Sequence, residues 1–244
     1  MGDYPPIKGL LENTLIDWEG KIAAIVFLPR CNLRCHYCHS PHLVVAPSEL
    51  ETIPIEAVLE LVNRREGWLD GVVITGGEPL LHGNLRDLIV ALRDAGAGIK
   101  LDTNGTSPDA LAALIDEGLL DYVAMDVKAP LVREKYEEIA DVDCDLDALR
   151  RSADVLLAGR VDYEFRTTVC PQFTDGDDIV EIARAVAGAK RYVLQPFRPQ
   201  GCLNASLLDV KPYQVETLRE FADRAAEHVQ SCVVRGDPQS MGNG

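Results

Sequence analysis

The sequence predicts an α/β fold in which a parallel sheet is covered by helices. Three features carry that expectation. Short runs rich in Val, Ile and Leu recur along the chain, stretches with helical periodicity alternate with them, and a glycine follows most of those stretches. Apolar runs without polar alternation mark strands buried on both faces, and their alternation with helices marks βαβ units.

The elements follow in order. Residues 22–28 (IAAIVFL) form the first strand, and a long loop carrying three cysteines comes next. Residues 55–64 read as a helix with Pro54 near its start. Residues 72–75 are a short buried strand ending in Gly76-Gly77. Residues 84–95 are a helix, with Asn84 as candidate cap and Gly96 beyond its end. The cycle continues with strand 99–103 and helix 108–117, then strand 122–127 and helix 146–157. Strand 163–169 and helix 178–187 follow, then strand 192–197 and helix 213–227. Gly118, Gly159 and Gly188 close three of these helices, and residues 232–234 make a last short strand.

That makes six βα units. A closed barrel takes eight, in about 250 residues. Six units with one long loop predict an open, partial (β/α)6 barrel or a doubly wound sheet. No linker rich in Ser, Gly or Pro and no internal repeat divides the 244 residues, so a single domain over 1–244 is expected. Either architecture gathers functional groups at the C-terminal ends of the strands. Six polar motifs fall there: the cysteine loop, Gly76-Gly77-Glu78-Pro79, Asp102-Thr103-Asn104-Gly105, Asp126-Val127-Lys128, Arg166 within strand five, and Gln195-Pro196-Phe197-Arg198. Parallel strands would bring all six to one mouth.

Composition excludes some partners. The formal net charge is −15, which repels a nucleic-acid backbone or an anionic membrane. No run of about 20 apolar residues offers a membrane span. The N-terminus, MGDYPPIKGLLENTL, lacks the charged start and apolar run of a secretory signal. A cytoplasmic protein is expected, with its seven cysteines as thiols or metal ligands.

Cys31, Cys35 and Cys38 stand at C-x3-C-x2-C spacing. Three thiolates on one loop can hold three corners of a cubane iron–sulfur cluster and leave one iron open. The same three could hold Zn²⁺ with His36, His39 or His42 as fourth ligand, or remain free thiols. Cys144, Cys170, Cys202 and Cys232 show no paired spacing and read as small buried residues, although Cys170 and Cys202 follow strands five and six.

C-x3-C-x-Y-C followed by a GGEP loop resembles the radical S-adenosylmethionine (SAM) superfamily. The run Cys31 to His39, the Asp102–Gly105 motif DTNG and Asp126-Val127-Lys128 resemble the glycyl-radical-enzyme activases within it. Residues 165–169 (FRTTV) and 195–199 (QPFRP) resemble the activating proteins of anaerobic ribonucleoside-triphosphate reductase. The resemblance runs from about Trp18 to Gly236. It implies a partial barrel, a [4Fe–4S] cluster on Cys31, Cys35 and Cys38, and SAM chelating the open iron. It further implies reductive cleavage of SAM to a 5′-deoxyadenosyl radical. The implied partners are a glycyl radical enzyme and a low-potential donor such as flavodoxin or ferredoxin.

Roles follow for individual residues. Glu78 would accept hydrogen bonds from the SAM ammonium, and Gly76 and Gly77 would let the backbone approach the methionyl group. Tyr37 would pack on the adenine, or simply pack its loop. His39 would hydrogen-bond near the cluster, with His36 and His42 exposed. Two bare carboxylates, Asp102 and Asp126, would repel unless relieved by a cation or by Lys128. The resemblance implies a monovalent cation at Asp102, Thr103 and Asp126, with Lys128 on the SAM carboxylate or ribose and Asn104 at the same SAM site. Arg166 points in or out with the register. Gln195 and Arg198 would bound the adenine, although the lyase activases tend to have histidine at the latter position.

Two other functions compete. A small-molecule radical SAM enzyme resembling 7-carboxy-7-deazaguanine synthase would also be compact with a GGEP-type loop. Those proteins tend to have Trp-Cys-Asp where this chain has Tyr37-Cys38-His39. An Fe–S electron carrier or zinc-stabilised interaction module would leave Glu78, Asp102 and Lys128 without a task.

Overall fold

The structure, a computed structural model, describes residues 3–238. One eight-stranded sheet runs in chain order: β1 (Gly9–Thr14), β2 (Ala23–Leu28), β3 (Gly71–Gly76), β4 (Gly98–Thr103), β5 (Tyr122–Asp126), β6 (Asp162–Val169), β7 (Tyr192–Pro196) and β8 (Cys232–Val234). β1 pairs antiparallel with β2, and every later pairing is parallel. Among the described residues β8 does not pair back onto β1, so the sheet is an open, partial barrel. The six βα units are present, with β8 as the expected terminal strand.

Among the described residues eight α-helices accompany the strands: α1 (Pro41–Val45), α2 (Ile55–Arg64), α3 (Leu85–Asp94), α4 (Pro108–Asp116), α5 (Arg133–Ala140), α6 (Leu146–Leu157), α7 (Gly176–Ala185) and α8 (Val215–Ala225). Among the described residues none is long and apolar enough to cross a membrane. The bounds of α2 and α6 are those the apolar periodicity predicts. α7 starts earlier than expected because Asp175 and Asp178 form a capping box ahead of the apolar run. Asn84 makes no side-chain cap: its backbone carbonyl already takes the Asp87 N–H. β1 and α5 are absent from the expectation. β1 is a half-exposed edge strand. α5 (REKYEEIA) is mostly charged and buries only Tyr136, Ile139 and Ala140.

The two faces of the sheet differ. Ala24, Val26, Leu28, Val72, Ile74, Ile99 and Leu101 pack in the large apolar core that includes the helices. Residues one step out of phase make a separate small cluster of Trp18, Ala23, Ile25 and Val73, with Phe27 and Tyr122 against it. Farther along the sheet this second face turns charged. Lys100 and Asp102 alternate on β4, and Glu164 and Arg166 alternate on β6, all largely buried. Side chains two residues apart share a face, so these four build a stacked column of charge.

At the base of the column, Glu164 gathers three cations. Arg235 lies at 2.7 Å, Lys100 at 3.4 Å and Arg191 at 3.6 Å. Arg235 also donates to the Ile16 carbonyl at 2.9 Å, tying the C-terminal edge of the sheet to the turn after β1. Lys100 reaches the Asp17 carbonyl in the same turn. Burial pushes the Glu164 carboxyl up, but Lys100, Arg235, Arg166 and Arg191 outweigh it and hold it below the ordinary value.

Glu164→Gln leaves those cations without their counter-charge and is expected to cost about 3–5 kcal/mol of stability. A carboxyl held low in the fold stabilises above its unfolded pKa of about 4.3, and that contribution is lost as pH falls. Urea midpoints of the cluster-free chain should drop between about pH 5 and pH 3, and Glu164→Gln should flatten that drop. An unchanged midpoint and slope would remove Glu164 from this role.

Candidate active site

The loop after β2 carries the three cysteines and is fastened on every side by main-chain bonds. The N–H of Gly77 donates to the Leu28 carbonyl at 2.8 Å, and that of Glu78 to the Arg30 carbonyl at 2.7 Å. The N–H groups of Arg34 and His36 donate to the carbonyls of Ala140 and Ile139, which end α5. On the far side the N–H groups of Leu203 and Asn204 donate to the carbonyls of Cys38 and His36. His36 also stacks on Phe173 and pairs with the Asn204 amide, so it is half-buried and engaged, not an exposed loop residue.

Gly76 and Gly77 serve this seating. A Cβ on Gly76 would strike the backbone of Leu28, and one on Gly77 would overlap the Arg30 carbonyl. Gly76 also adopts φ +128°, open to glycine alone. Their demand for space is set by the cysteine loop packed on them.

A cavity of about 210 Å³ opens at the C-terminal ends of the strands. Cys31, Cys35, Cys38, Tyr37 and His39 line it, together with Gly76, Gly77, Asp102, Thr103, Asn104, Asp126, Lys128, Arg166 and Gln195. The motifs do converge on one mouth. Thr75 and Thr168 line it too and were not singled out from the sequence. The signal was available: Thr168 lies two residues beyond Arg166 on β6 and pairs in register with Gln195.

Two expected contributors stand elsewhere. Glu78 is fully buried and does not line the cavity. One carboxylate oxygen accepts from Thr103 Oγ1 at 2.8 Å and the Leu80 N–H at 3.2 Å, and the other from the Asn104 N–H at 2.6 Å. Those bonds join the ends of β3 and β4. Burial pushes its pKa up to about 7 against those three donors. Arg198 is exposed and does not line the cavity; its carbonyl accepts from His39 Nε2 at 2.8 Å.

The carboxylate pair is also differently served than expected. Arg166 faces inward and spans it, with Nε 2.8 Å from Asp126 and Nη1 3.1 Å from Asp102. Lys128 Nζ lies 2.9 Å from Asp126. Burial opposes ionisation of Asp126, but Arg166 and Lys128 hold it well below the usual carboxylate range. A guanidinium thus lies between the carboxylates, and the Thr103 hydroxyl turns to Glu78.

Three observations bear on a bound group. All seven cysteines are free. Two buried polar atoms of cavity-lining residues, Tyr37 Oη and Asp102 Oδ1, have no hydrogen-bond partner among the described residues. Among the described residues no three His, Cys, Asp or Glu side chains converge on a single metal ion. A zinc ion needs its thiolates within about 4 Å of one another, given Zn–S bonds of about 2.3 Å. A cubane instead presents a separate iron to each thiolate. Three thiols on one loop supply the donor set that such a cluster needs. Burial pushes the Cys35 thiol up to about 12 and raises Cys31 as well, so metal uptake must displace protons. Burial works against the charge on Lys128, yet Asp126, Cys35 and Tyr37 hold its pKa well above the ordinary value.

Comparison with known proteins agrees with this site. The model of the radical SAM superfamily matches residues 25–186, and the chain belongs to that superfamily. It is a radical SAM enzyme, whose cofactors are a [4Fe–4S] cluster and SAM. Among relatives, a Methanocaldococcus jannaschii protein provisionally named a glycyl-radical enzyme activating enzyme is 29% identical over 94% of this chain and 95% of its own. The 7-carboxy-7-deazaguanine synthase of Geobacter sulfurreducens is 30% identical over 82% of each chain. Among solved structures, SuiB of Streptococcus suis bound to SAM shares the fold with a TM-score of 0.65 and 15% identity, over 88% of this chain and 52% of that one.

Gly77→Ala places a methyl group on the Arg30 carbonyl and should push the cysteine loop off the end of β3. Iron bound per chain after anaerobic reconstitution is expected to fall severalfold, with helix content by circular dichroism retained. Full iron uptake would show that the loop tolerates displacement.

Proposed function

We propose that this protein activates a glycyl radical enzyme. One observation carries the reading: three free thiols line a cavity opposite a paired set of buried carboxylates and cations. In this reading Cys31, Cys35 and Cys38 hold the [4Fe–4S] cluster. The cofactors, when bound, supply one-electron cleavage of the sulfonium and removal of a hydrogen atom from the target. Asp102 Oδ1, a buried acceptor without a partner, takes the SAM ammonium or a ribose hydroxyl. Lys128 has further N–H donors beyond its bond to Asp126 and meets the SAM carboxylate. Gln195, Thr168 and Tyr37 also line the cavity.

The target is a backbone glycine of a partner protein, by our reading anaerobic ribonucleoside-triphosphate reductase. The end-to-end similarity to the M. jannaschii protein supports this. The DTNG and DVK motifs and residues 165–169 and 195–199 support it as well. A flavodoxin- or ferredoxin-like donor would supply the electron, in the cytoplasm. The G. sulfurreducens relative favours a second reading, a small-molecule enzyme of the 7-carboxy-7-deazaguanine synthase kind. Tyr37-Cys38-His39 in place of Trp-Cys-Asp weighs against it.

The reconstituted, reduced protein should convert SAM to 5′-deoxyadenosine, and Cys35→Ala should lose at least about a hundredfold of that rate, about 2.7 kcal/mol at 1.36 kcal/mol per decade. With a peptide carrying the partner's glycine loop deuterated at the α-carbon, deuterium should appear in 5′-deoxyadenosine. Cleavage without transfer from peptide, but with formation of 7-carboxy-7-deazaguanine from a small-molecule substrate, would select the second reading.

A further inference from the structure

The sulfur of Cys31 is singled out among the three. It accepts the Leu33 N–H at 3.4 Å and a side-chain N–H of Asn104 at 3.8 Å. Among the described residues no N–H donates to the sulfur of Cys35 or Cys38. Asn104 is buried, 5% exposed, and its side chain belongs to a closed ring of three hydrogen bonds. Asn32 Nδ2 donates to Thr106 Oγ1 at 2.9 Å, Thr106 Oγ1 donates to Asn104 Oδ1 at 2.7 Å, and Asn104 Nδ2 donates to Asn32 Oδ1 at 2.9 Å.

The ring fixes which end of the amide faces the thiol. Asn104 Oδ1 also accepts the backbone N–H of Thr106 at 3.0 Å. A backbone N–H can only donate, so the atom facing it must be the oxygen, and the NH₂ group must face Cys31. One of its two hydrogens closes the ring on Asn32, and the other is left for the sulfur. Asn104 lines the cavity with its amide aimed at a cysteine.

We propose that Asn104 is a positioning residue that tunes the cluster: its locked N–H bond to the Cys31 thiolate raises the reduction potential. This rests on the assignment of Cys31, Cys35 and Cys38 as cluster ligands. Reduction adds one electron, and its charge spreads onto the ligand sulfurs. A donor aimed at such a sulfur stabilises the reduced form more than the oxidised form, and hydrogen bonds to sulfur are a recognised control of cluster potential. Linked side-chain bonds polarise one another, so the ring strengthens the donor it positions. The effect falls on one corner of the cluster, because Cys31 alone receives these donors.

The test is a potentiometric titration of the reconstituted protein, followed by electron paramagnetic resonance without SAM. Asn104→Leu keeps the shape and removes the donor without adding a charge. Thr106→Val keeps Asn104 and removes the hydroxyl that closes the ring. The ratio of reduced to oxidised cluster at fixed poise should fall about threefold to tenfold in Asn104→Leu, tenfold being about 59 mV for a one-electron couple. Thr106→Val should shift it less, in the same direction. The iron–cysteine stretch in resonance Raman spectra should rise in both, as the thiolate returns charge to iron. An unchanged or raised potential in variants with full iron content overturns the proposal. A wild-type chain that takes up no four-iron cluster overturns instead the ligand assignment beneath it, and the proposal with it.

Discussion

The buried carboxylate of Glu78 is the constraint on which the site depends. A carboxylate withdrawn from water is costly unless donors replace the lost hydration. Here the Thr103 hydroxyl and the N–H groups of Asn104 and Leu80 do so. Satisfying it fixes the ends of β3 and β4 relative to each other. The same residue's N–H, with that of Gly77, fixes the end of β2 and the start of the cysteine loop. Three strand ends are thus set by one side chain and its peptide. The position of Cys31 follows from that junction, as do Asp102 and the ring that aims Asn104 at Cys31.

Below this junction the sheet's inner face supplies charge in layers. Lys100 pairs with Glu164, Arg166 spans Asp102 and Asp126, and Lys128 adds a second cation to Asp126. Breaking any pair leaves a buried charge without a partner, which is far more costly than never having placed the pair. The column therefore holds its members in fixed geometry, as a site must for charged ligand groups. Arg166 shows the consequence. It answers two carboxylates at once and takes only one oxygen of Asp102, leaving Oδ1 without a partner among the described residues.

Much of this was legible in the sequence, for identifiable reasons. α2 and α6 could be bounded to the residue because their buried positions recur at helical spacing. Convergence of the motifs followed from parallel strands alone. α5 was missed because five of its eight residues are charged, and β1 because an edge strand needs only half an apolar pattern. Register was the larger obstacle: a shift of one residue turns Arg166 from the cavity to the helices. Glu78 was found by motif but its contacts were not, because two of its three partners lie 25 and 26 residues away and two of the three are backbone amides. Arg198 drew notice for its side chain, whereas its carbonyl does the holding. Hydrogen bonds from backbone leave no trace in residue type.

The central claim is that three thiols on one loop leave an iron open to SAM within the same charged cavity. Pulsed electron–nuclear spectroscopy of the reduced cluster, with SAM carrying ¹⁵N in its amino group, tests it most directly. The account predicts a resolved ¹⁵N coupling on the cluster signal, together with a change in its g-values when SAM is added. A cluster signal that SAM leaves unchanged and uncoupled, in protein shown by equilibrium dialysis to bind SAM, would contradict it.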